Sequence, residues 1–228
     1  MPERPDPPRQ LALDLPVAAR MGVEDFLVSP SNEAAFSAVE RWPDWNDPVL
    51  LVVGPPGAGK SHLAAIFAVR SHAWTIPAGM LRVVDVPHLV SAGALVVEDC
   101  DREVDEAALF HLLNAARERR TSVVLTAGSG PDSWGLATAD LLSRLRLAPV
   151  ARLEPPDDAL VRAVLVKLFV ERQMVVDTSV VDYIALHIDR SVAAARDFIA
   201  VLDREGLARR RRITRALVSE VLRAGEVP

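Results

Sequence analysis

Residues 54–61 of this 228-residue chain read Gly-Pro-Pro-Gly-Ala-Gly-Lys-Ser and constrain the fold more than any other segment. They match G-x-x-x-x-G-K-[ST], a pattern that binds phosphate where a buried strand leads into the loop and a helix follows it. The five apolar residues 49–53 predict that strand, and the apolar spacing of residues 60–70 is typical of the helix. We therefore predict a phosphate-binding loop whose backbone N–H groups surround phosphate oxygens, rather than a glycine-rich turn that binds nothing.

Lys60 and Ser61 supply the reactive side chains of this loop. An ammonium group at Lys60 would reach the outer phosphates of a nucleotide, and the hydroxyl of Ser61 would bind Mg²⁺. The chain contains 26 basic residues, of which only Lys60 and Lys167 are lysines. Any lysine that the chemistry requires must therefore be one of these two.

Further apolar segments predict a two-domain organisation. Strands are expected at 94–97 and 123–126 and near residue 74, and helices at 32–41, 60–70 and 106–120, which together indicate a parallel sheet covered on both faces. After Pro155-Pro156 the segments 157–172, 179–187, 192–204 and 213–223 all have helical periodicity. We expect an extended tail over 1–21, an α/β base over 22–154 and an all-helical lid over 155–228.

Composition excludes several classes of protein. Half of the residues are apolar, a quarter are charged and the formal net charge is −5, which suits a chain with a full hydrophobic core. The single cysteine, Cys100, cannot form an intramolecular disulfide and is expected to be a passive small residue. No apolar run approaches the ~20 residues of a membrane helix, and the proline-rich, charged N-terminus does not read as a signal peptide. The expected location is the cytoplasm.

Two acidic residues, Glu98 and Asp99, end the predicted strand at 94–97. At that edge of a parallel sheet they would lie near the phosphate loop, where one carboxylate can hold hydrated Mg²⁺ and the other can orient an attacking water. Which residue has which role is left open, since the usual order of Asp and Glu is reversed. The alternative is a solvated turn.

Two other segments allow more than one interpretation. Leu11, Leu13 and Leu15 alternate within a proline-flanked segment, which is typical of a docking peptide, of an edge strand, or of a tail laid on the protein's own core. The arginine run at 209–212 is either a solvated loop or a contact with nucleic acid or a partner.

Several motifs together resemble the AAA+ ATPase superfamily, in particular its DnaA branch. Residues 25–32 resemble the F-x-V-G-x-S-N motif that holds adenine, 54–63 the phosphate loop, 142–145 the S-R-F box and 153–156 the I-E-P-P junction with the lid. Arg196 and Leu202 keep the spacing of the sensor 2 motif. This resemblance implies a fold with an α/β base and a helical lid, and it implies that ADP or ATP binds with Mg²⁺. The nucleotide-binding residues it implies are Phe26, Val28, Gly54, Pro56, Gly57, Ala58, Gly59, Lys60, Ser61, His62 and Arg196, with Ser61, Glu98 and Asp99 at the metal.

Three departures from the pattern of the DnaA initiators indicate which members of that branch the chain resembles most. We expect no DNA-binding helix-turn-helix domain after the lid, because the sequence stops at Pro228. Only 37 residues lie between Lys60 and Glu98, too few for the extra helices with which initiators grip single-stranded DNA. Residues 10–15, Gln-Leu-Ala-Leu-Asp-Leu, resemble the Q-L-x-L-x-L peptide that docks on the DNA polymerase sliding clamp through Gln10, Leu11, Leu13 and Leu15.

This combination is similar to the Hda family of DnaA-homologous regulators. The resemblance implies a protein that binds the sliding clamp, approaches ATP-loaded DnaA and promotes hydrolysis of its ATP, which prevents re-initiation. Arg144 would be the arginine finger, with Arg146 as a substitute and a surface ion pair as the alternative role of Arg144.

The enzymatic status of the chain itself is left open. The sensor 1 region at 125–131 carries Ala, Gly or Ser at the expected polar position, which predicts weak intrinsic hydrolysis. The choice between ADP and ATP and the state of self-association are also open, although AAA+ modules tend to stack. An autonomous ATPase such as a helicase loader, and a nucleotide-insensitive adaptor, are the alternative functions.

Overall fold

The computed structural model describes residues 21–209 and 211–224, which form two compact units, 21–157 and 158–224. The first unit contains a five-stranded parallel sheet in the order β2-β3-β4-β1-β5. Its strands are β1 (Val49–Val53), β2 (Trp74–Pro77), β3 (Ala94–Glu98), β4 (Ser122–Ala127) and β5 (Val150–Arg152). Its helices are α1 (Glu33–Glu40), α2 (Lys60–Ser71), α3 (Val86–Ser91), α4 (Glu106–Arg119) and α5 (Ala139–Leu147). The strands and helices predicted from the apolar pattern are all present.

Alternation along the strands builds a core on each face of the sheet. In β1, Val49, Leu51 and Val53 belong to the cluster formed with α3, α4 and α5. Leu50 and Val52 belong to the opposite cluster, with α1 and α2. Because β1 is covered on both faces, all five of its residues are buried, as a continuous apolar run predicts.

Helix ends in this unit follow from local chemistry. The carboxylate of Asp105 accepts a hydrogen bond from the backbone N–H of Ala108 at 3.0 Å and so caps α4. The helix ends at Arg119, and the next residue, Arg120, has a left-handed φ of 58°. Three elements here were not predicted: α3, α5 and β5. The strand β5 has only three residues, two of which are exposed, so its sequence lacks the apolar run by which β1 is recognised.

The second unit consists of helices within the described residues, as the sequence predicts: α6 (Asp158–Glu171), α7 (Thr178–Ala185), α8 (Val192–Arg209) and α9 (Arg215–Ala224). Phe169, Phe198 and Leu202 are among its buried residues. Arg209 and Arg211 both donate to Glu220 at 2.9 Å, which joins the end of α8 to α9. The boundary between the sheet-based unit and the helical unit lies after Asp157, two residues after the first proline of Pro155-Pro156. No helix in the described parts of the chain is long and apolar enough to cross a membrane.

Candidate nucleotide-binding site

The phosphate loop begins where β1 ends and is held by close backbone packing. The N–H of Gly54 donates to the carbonyl of Ala127 at the end of β4, 3.2 Å away. A Cβ atom at Gly54 would lie 2.7 Å from the carbonyl oxygen of Leu153, so only glycine fits this approach. The loop ends at Gly59, whose φ of 104° directs the chain into the first turn of α2. Gly57 also has positive φ, whereas Ala58 is buried and Pro56 is exposed.

Lys60 lies on the first turn of α2 with its ammonium group inside the loop. Its Nζ atom donates to the carbonyl oxygens of Gly54 at 2.8 Å and Pro55 at 3.0 Å. Burial lowers the pKa of Lys60, and Arg102 lowers it further, while the nearby negative charges of Asp101 and Asp99 oppose that shift. The loop thus holds a half-buried cation directly at the N-terminus of a helix, which is an environment suited to phosphate.

The N-terminal motif lies against the same helix start. The ring of Phe26 stacks on Phe36 at a centroid distance of 5.4 Å and meets the His62 ring edge-on at 5.2 Å. His62 in turn makes a hydrogen bond of 2.9 Å to the carbonyl of Gly22 through Nε2. A Cβ atom at Gly59 would lie 3.4 Å from the Phe26 ring. The structure therefore brings Phe26 and His62 together beside the phosphate loop.

A buried asparagine shapes the rest of this motif. The Asn32 side chain accepts from the N–H of Ser29 at 2.8 Å and donates to the carbonyl of Leu27 at 2.9 Å. These bonds fix the loop that carries Val28, whose side chain is 48% exposed. Val28 thus presents an apolar surface at this loop rather than packing into the core.

Acidic residues lie at the C-terminal end of β3. Asp99 has a left-handed φ of 57°, and its backbone N–H donates to Thr126 Oγ1 on β4 at 3.1 Å. Asp101 Oδ2 accepts from the N–H of Gly128 at 2.8 Å, which ties this turn to the end of β4. The half-buried Glu98 is the last residue of β3 itself. Glu98 and Asp99 therefore lie at the sheet edge from which the phosphate loop also emerges.

These residues fit the way in which proteins bind Mg²⁺. The ion usually takes one or two carboxylates together with phosphate oxygens and water, rather than a cage of protein ligands. No cluster of three or more histidine, cysteine or acidic side chains that could hold a metal alone is found among the described residues. The exposed Ser61 hydroxyl on α2 and the two carboxylates after β3 provide the hard oxygen donors that such a site needs.

The two candidate arginines of α5 differ in their surroundings. Arg146 forms an ion pair with Asp132. Arg144 is half-buried, and its guanidinium carbon lies 4.9 Å from the centroid of the Phe110 ring. Within the described residues no carboxylate forms an ion pair with Arg144.

Other candidate residues are distributed through the chain. Arg196 is half-buried on α8 in the helical unit. Lys167 lies on α6, where its Nζ atom is 3.6 Å from Glu171 Oε1. The peptide at 10–15, with Gln10, Leu11, Leu13 and Leu15, lies outside the described residues. Burial raises the pKa of the Cys100 thiol, as expected for a passive core residue.

Several residues of this site were missed by the sequence analysis. Asp101 is one of the two negative charges that oppose the fall in the pKa of Lys60, and a third acidic residue three positions after Glu98 was the available signal. Thr126 is a buried hydroxyl that follows three apolar residues of β4, and this break in the apolar run was also visible in the sequence. Pro55 contributes only a backbone carbonyl to Lys60, and Phe110 contacts Arg144 from a position far away in the sequence. The sequence carries no signal for either contact.

No protein-family model matches the chain. The chromosomal replication initiator protein DnaA of Picosynechococcus sp. is 27% identical in an alignment 189 residues long that covers 71% of this chain and 42% of that protein. The chain spans less than half of the length of the curated relatives to which it is similar.

Solved structures are similar over more of the chain. Domain III of the Thermotoga maritima replication initiation protein DnaA superposes with a TM-score of 0.77 at 20% identity, covering 91% of this chain and 98% of that domain. AMPPCP-bound DnaA from Aquifex aeolicus superposes with a TM-score of 0.69 at 19% identity, covering 81% of this chain and 65% of that chain. The chain therefore has the predicted AAA+ fold, an α/β base with a helical lid, and is similar to the DnaA module of that fold.

Proposed function

We propose that this protein is a DnaA-related AAA+ regulator of chromosome replication that supplies an arginine finger to ATP-bound DnaA. The observation that carries the proposal is the difference between Arg144 and Arg146. A finger must bring an uncompensated positive charge to another protein's γ-phosphate, and Arg144 faces an aromatic ring while Arg146 is paired with Asp132. Arg144 is therefore the better candidate.

The protein's own loop would bind ADP or ATP. Backbone N–H groups of residues 54–61 and the ammonium group of Lys60 would hold the phosphates, and Phe26, Val28 and His62 would hold the base. Mg²⁺, held by Ser61 and by Glu98 or Asp99, would neutralise phosphate charge. The ammonium of Lys60 already points into the loop, where it donates to two carbonyl oxygens. Arg196 of the lid would add a further cation.

The residues at and after the end of β4 support slow ATP hydrolysis in this protein's own site. The Thr126 hydroxyl, the last polar side chain of that strand, accepts a hydrogen bond from Asp99. Ala127 and Gly128 follow and offer no side chain that could orient an attacking water. The bound nucleotide would then serve chiefly to stabilise one arrangement of the protein.

Recruitment would depend on the peptide at 10–15. Its Q-L-x-L-x-L pattern supports docking on the sliding clamp, which would bring the protein to newly replicated DNA in the cytoplasm. The arginine run is a weaker candidate for a DNA contact, because Arg209 and Arg211 are already paired with Glu220. The net charge of −5 also favours recruitment through a protein.

The deciding experiment measures phosphate release from ATP-bound DnaA in the presence of this protein and clamp loaded on DNA. An arginine finger accelerates hydrolysis by about 10³- to 10⁵-fold in the systems where it is best characterised. Arg144→Ala should abolish the acceleration, and Arg146→Ala, the matched control, should retain most of it. Equal acceleration by wild type and Arg144→Ala would refute the finger assignment.

A second experiment tests recruitment. Gln10→Ala should weaken capture of the protein by the immobilised clamp while leaving nucleotide binding unchanged. If Gln10→Ala is captured as well as wild type, the peptide at 10–15 does not mediate clamp binding.

An autonomous ATPase, such as a helicase loader, is the second candidate. It is favoured by the intact phosphate loop, with Lys60 in place and the charges of Asp99 and Asp101 nearby. This function predicts steady turnover by the protein alone, which is lost in Lys60→Ala and does not require residues 10–15. The same phosphate-release assay without DnaA distinguishes the two candidates.

A further inference from the structure

We propose that Phe110 is a positioning residue for Arg144, whose ring orients the guanidinium group before it meets a partner's phosphate. The inference rests on the proposed function of Arg144 as a finger. It adds a residue on a different helix, α4, to the group that carries out that function.

The contact has the geometry of a cation–π interaction. The guanidinium carbon of Arg144 lies 4.9 Å from the centroid of Phe110, within the roughly 6 Å over which a ring attracts a cation. Phe110 packs against the core that α4 and α5 form with the sheet. The ring is therefore held from the core side while it contacts the arginine.

The backbone of Arg144 is held by the same helix. Arg117, seven residues after Phe110 and so on the same face of α4, donates from Nη2 to the carbonyl of Arg144 at 3.2 Å. Its Nε donates to Asp47 at 3.0 Å, which anchors it to the segment before β1. Both the side chain and the backbone of Arg144 are thus fixed by α4.

An aromatic ring suits this task better than a carboxylate does. Fixing a long arginine side chain in advance spares the entropy that is otherwise lost on binding. Asp132 fixes Arg146 in the same way but also neutralises it, so a phosphate would have to displace that carboxylate. Phe110 fixes Arg144 and leaves its full formal charge for the phosphate.

The test uses four single variants and one double variant of the full chain in the DnaA phosphate-release assay. Phe110→Leu keeps an apolar side chain without the ring, and Phe110→Tyr keeps the ring. Tyr183→Leu is the matched control, because it removes the other cation–π contact among the described residues, that of Arg215 at 4.8 Å in the helical unit. Arg144→Ala defines complete loss of the finger.

We expect Phe110→Leu to lower the stimulated rate about fivefold, as expected for a half-buried cation–π contact, and Phe110→Tyr and Tyr183→Leu to retain it. Adding Phe110→Leu to Arg144→Ala should cause no further loss. An unchanged or faster rate in Phe110→Leu, or an equal loss in Tyr183→Leu, would overturn the positioning role.

A second measurement does not depend on DnaA. In ¹⁵N-labelled protein, the ring current of residue 110 should displace the Nε–H resonance of Arg144 in the wild type and in Phe110→Tyr but not in Phe110→Leu. If that shift is lost while the rate is unchanged, Phe110 has no positioning role and the proposed function stands. If Arg144→Ala is fully active while the shift is present, the contact exists but the proposed function fails.

Discussion

Replacing Gly54 with alanine should destabilise the α/β unit, because the new methyl group has no room. The Cβ atom would lie 2.7 Å from the carbonyl oxygen and 2.8 Å from the Cβ of Leu153. Neither atom is the end of a flexible side chain, and the N–H of Leu153 is bonded to the carbonyl of Val53 at 2.8 Å. The backbone after β5 must therefore shift away from β1.

The size of the effect follows from two opposing terms. Overpacking of this kind costs about 1–3 kcal/mol, and we expect the upper half of that range because the backbone is involved. The loss of a glycine from the unfolded chain offsets about 0.4–1 kcal/mol. The net loss is about 1.5 kcal/mol, which corresponds to a fall in Tm of roughly 3–6 °C for a protein of this size.

Gly128→Ala is the matched control at the same edge of the sheet. A Cβ there would lie 2.8 Å from Asp101 Oδ2, which is the end of a side chain and can rotate away. The loss of the hydrogen bond between Asp101 and the Gly128 N–H costs about 1 kcal/mol, and the entropic gain offsets most of it. Its Tm should stay within about 2 °C of wild type.

Tryptophan fluorescence is the suitable probe for both variants. All four tryptophans of the chain, Trp42, Trp45, Trp74 and Trp134, belong to the α/β unit. Thermal unfolding without nucleotide then reports this unit alone. An unchanged Tm in Gly54→Ala, or equal falls in the two variants, would refute the steric reasoning.

Three further predictions concern charge and burial. Lys60→Ala should weaken ADP binding by about 10- to 100-fold in calorimetry, since a charged hydrogen-bond donor to phosphate is lost; unchanged affinity would contradict the role of Lys60. Hydrogen bonds from Arg211 hold the pKa of Glu220 below its usual range, so this residue stabilises the fold at neutral pH and its contribution is lost as the pH falls through the acidic range. Glu220→Gln should therefore show a smaller fall in Tm between pH 7 and acid than wild type, as followed by circular dichroism. Cys100 is fully buried and its thiol pKa is raised, so it should react with a thiol reagent only after unfolding, and fast reaction of the native protein would contradict its placement.

The sequence was sufficient for those parts of the fold that leave a local pattern. The apolar run of β1, the glycine loop and the periodicity of α2 lie next to one another, so a short window of residues was enough to place Lys60. The strand β5 was missed because its three residues complete the sheet through pairing with β1 and not through their own apolarity.

Long-range packing limited the prediction of the site in the same way. The S-R-F resemblance singled out Arg144 but left Arg146 as a substitute, because both lie on one short helix. The two arginines are distinguished by their contacts, Arg146 with Asp132 and Arg144 with Phe110. Asp132 and Phe110 precede Arg144 by 12 and 34 residues, so neither contact could be read from a motif. Asp101, in contrast, could have been included from the acidic spacing after β3.

The strand order has a consequence for how the two halves of the nucleotide site can change. Since β4 lies between β1 and β3, the phosphate loop and the acidic turn are neighbours of the same strand and not of each other. Adjacent strands are about 4.8 Å apart, so roughly 10 Å separates the ends of β1 and β3. The Ala127 carbonyl contacts Gly54 on one side, and Thr126 contacts Asp99 and Cys100 on the other. A displacement of β4 along its axis would therefore move the phosphate loop and the carboxylates together, whereas a change in either outer strand would alter only one of them.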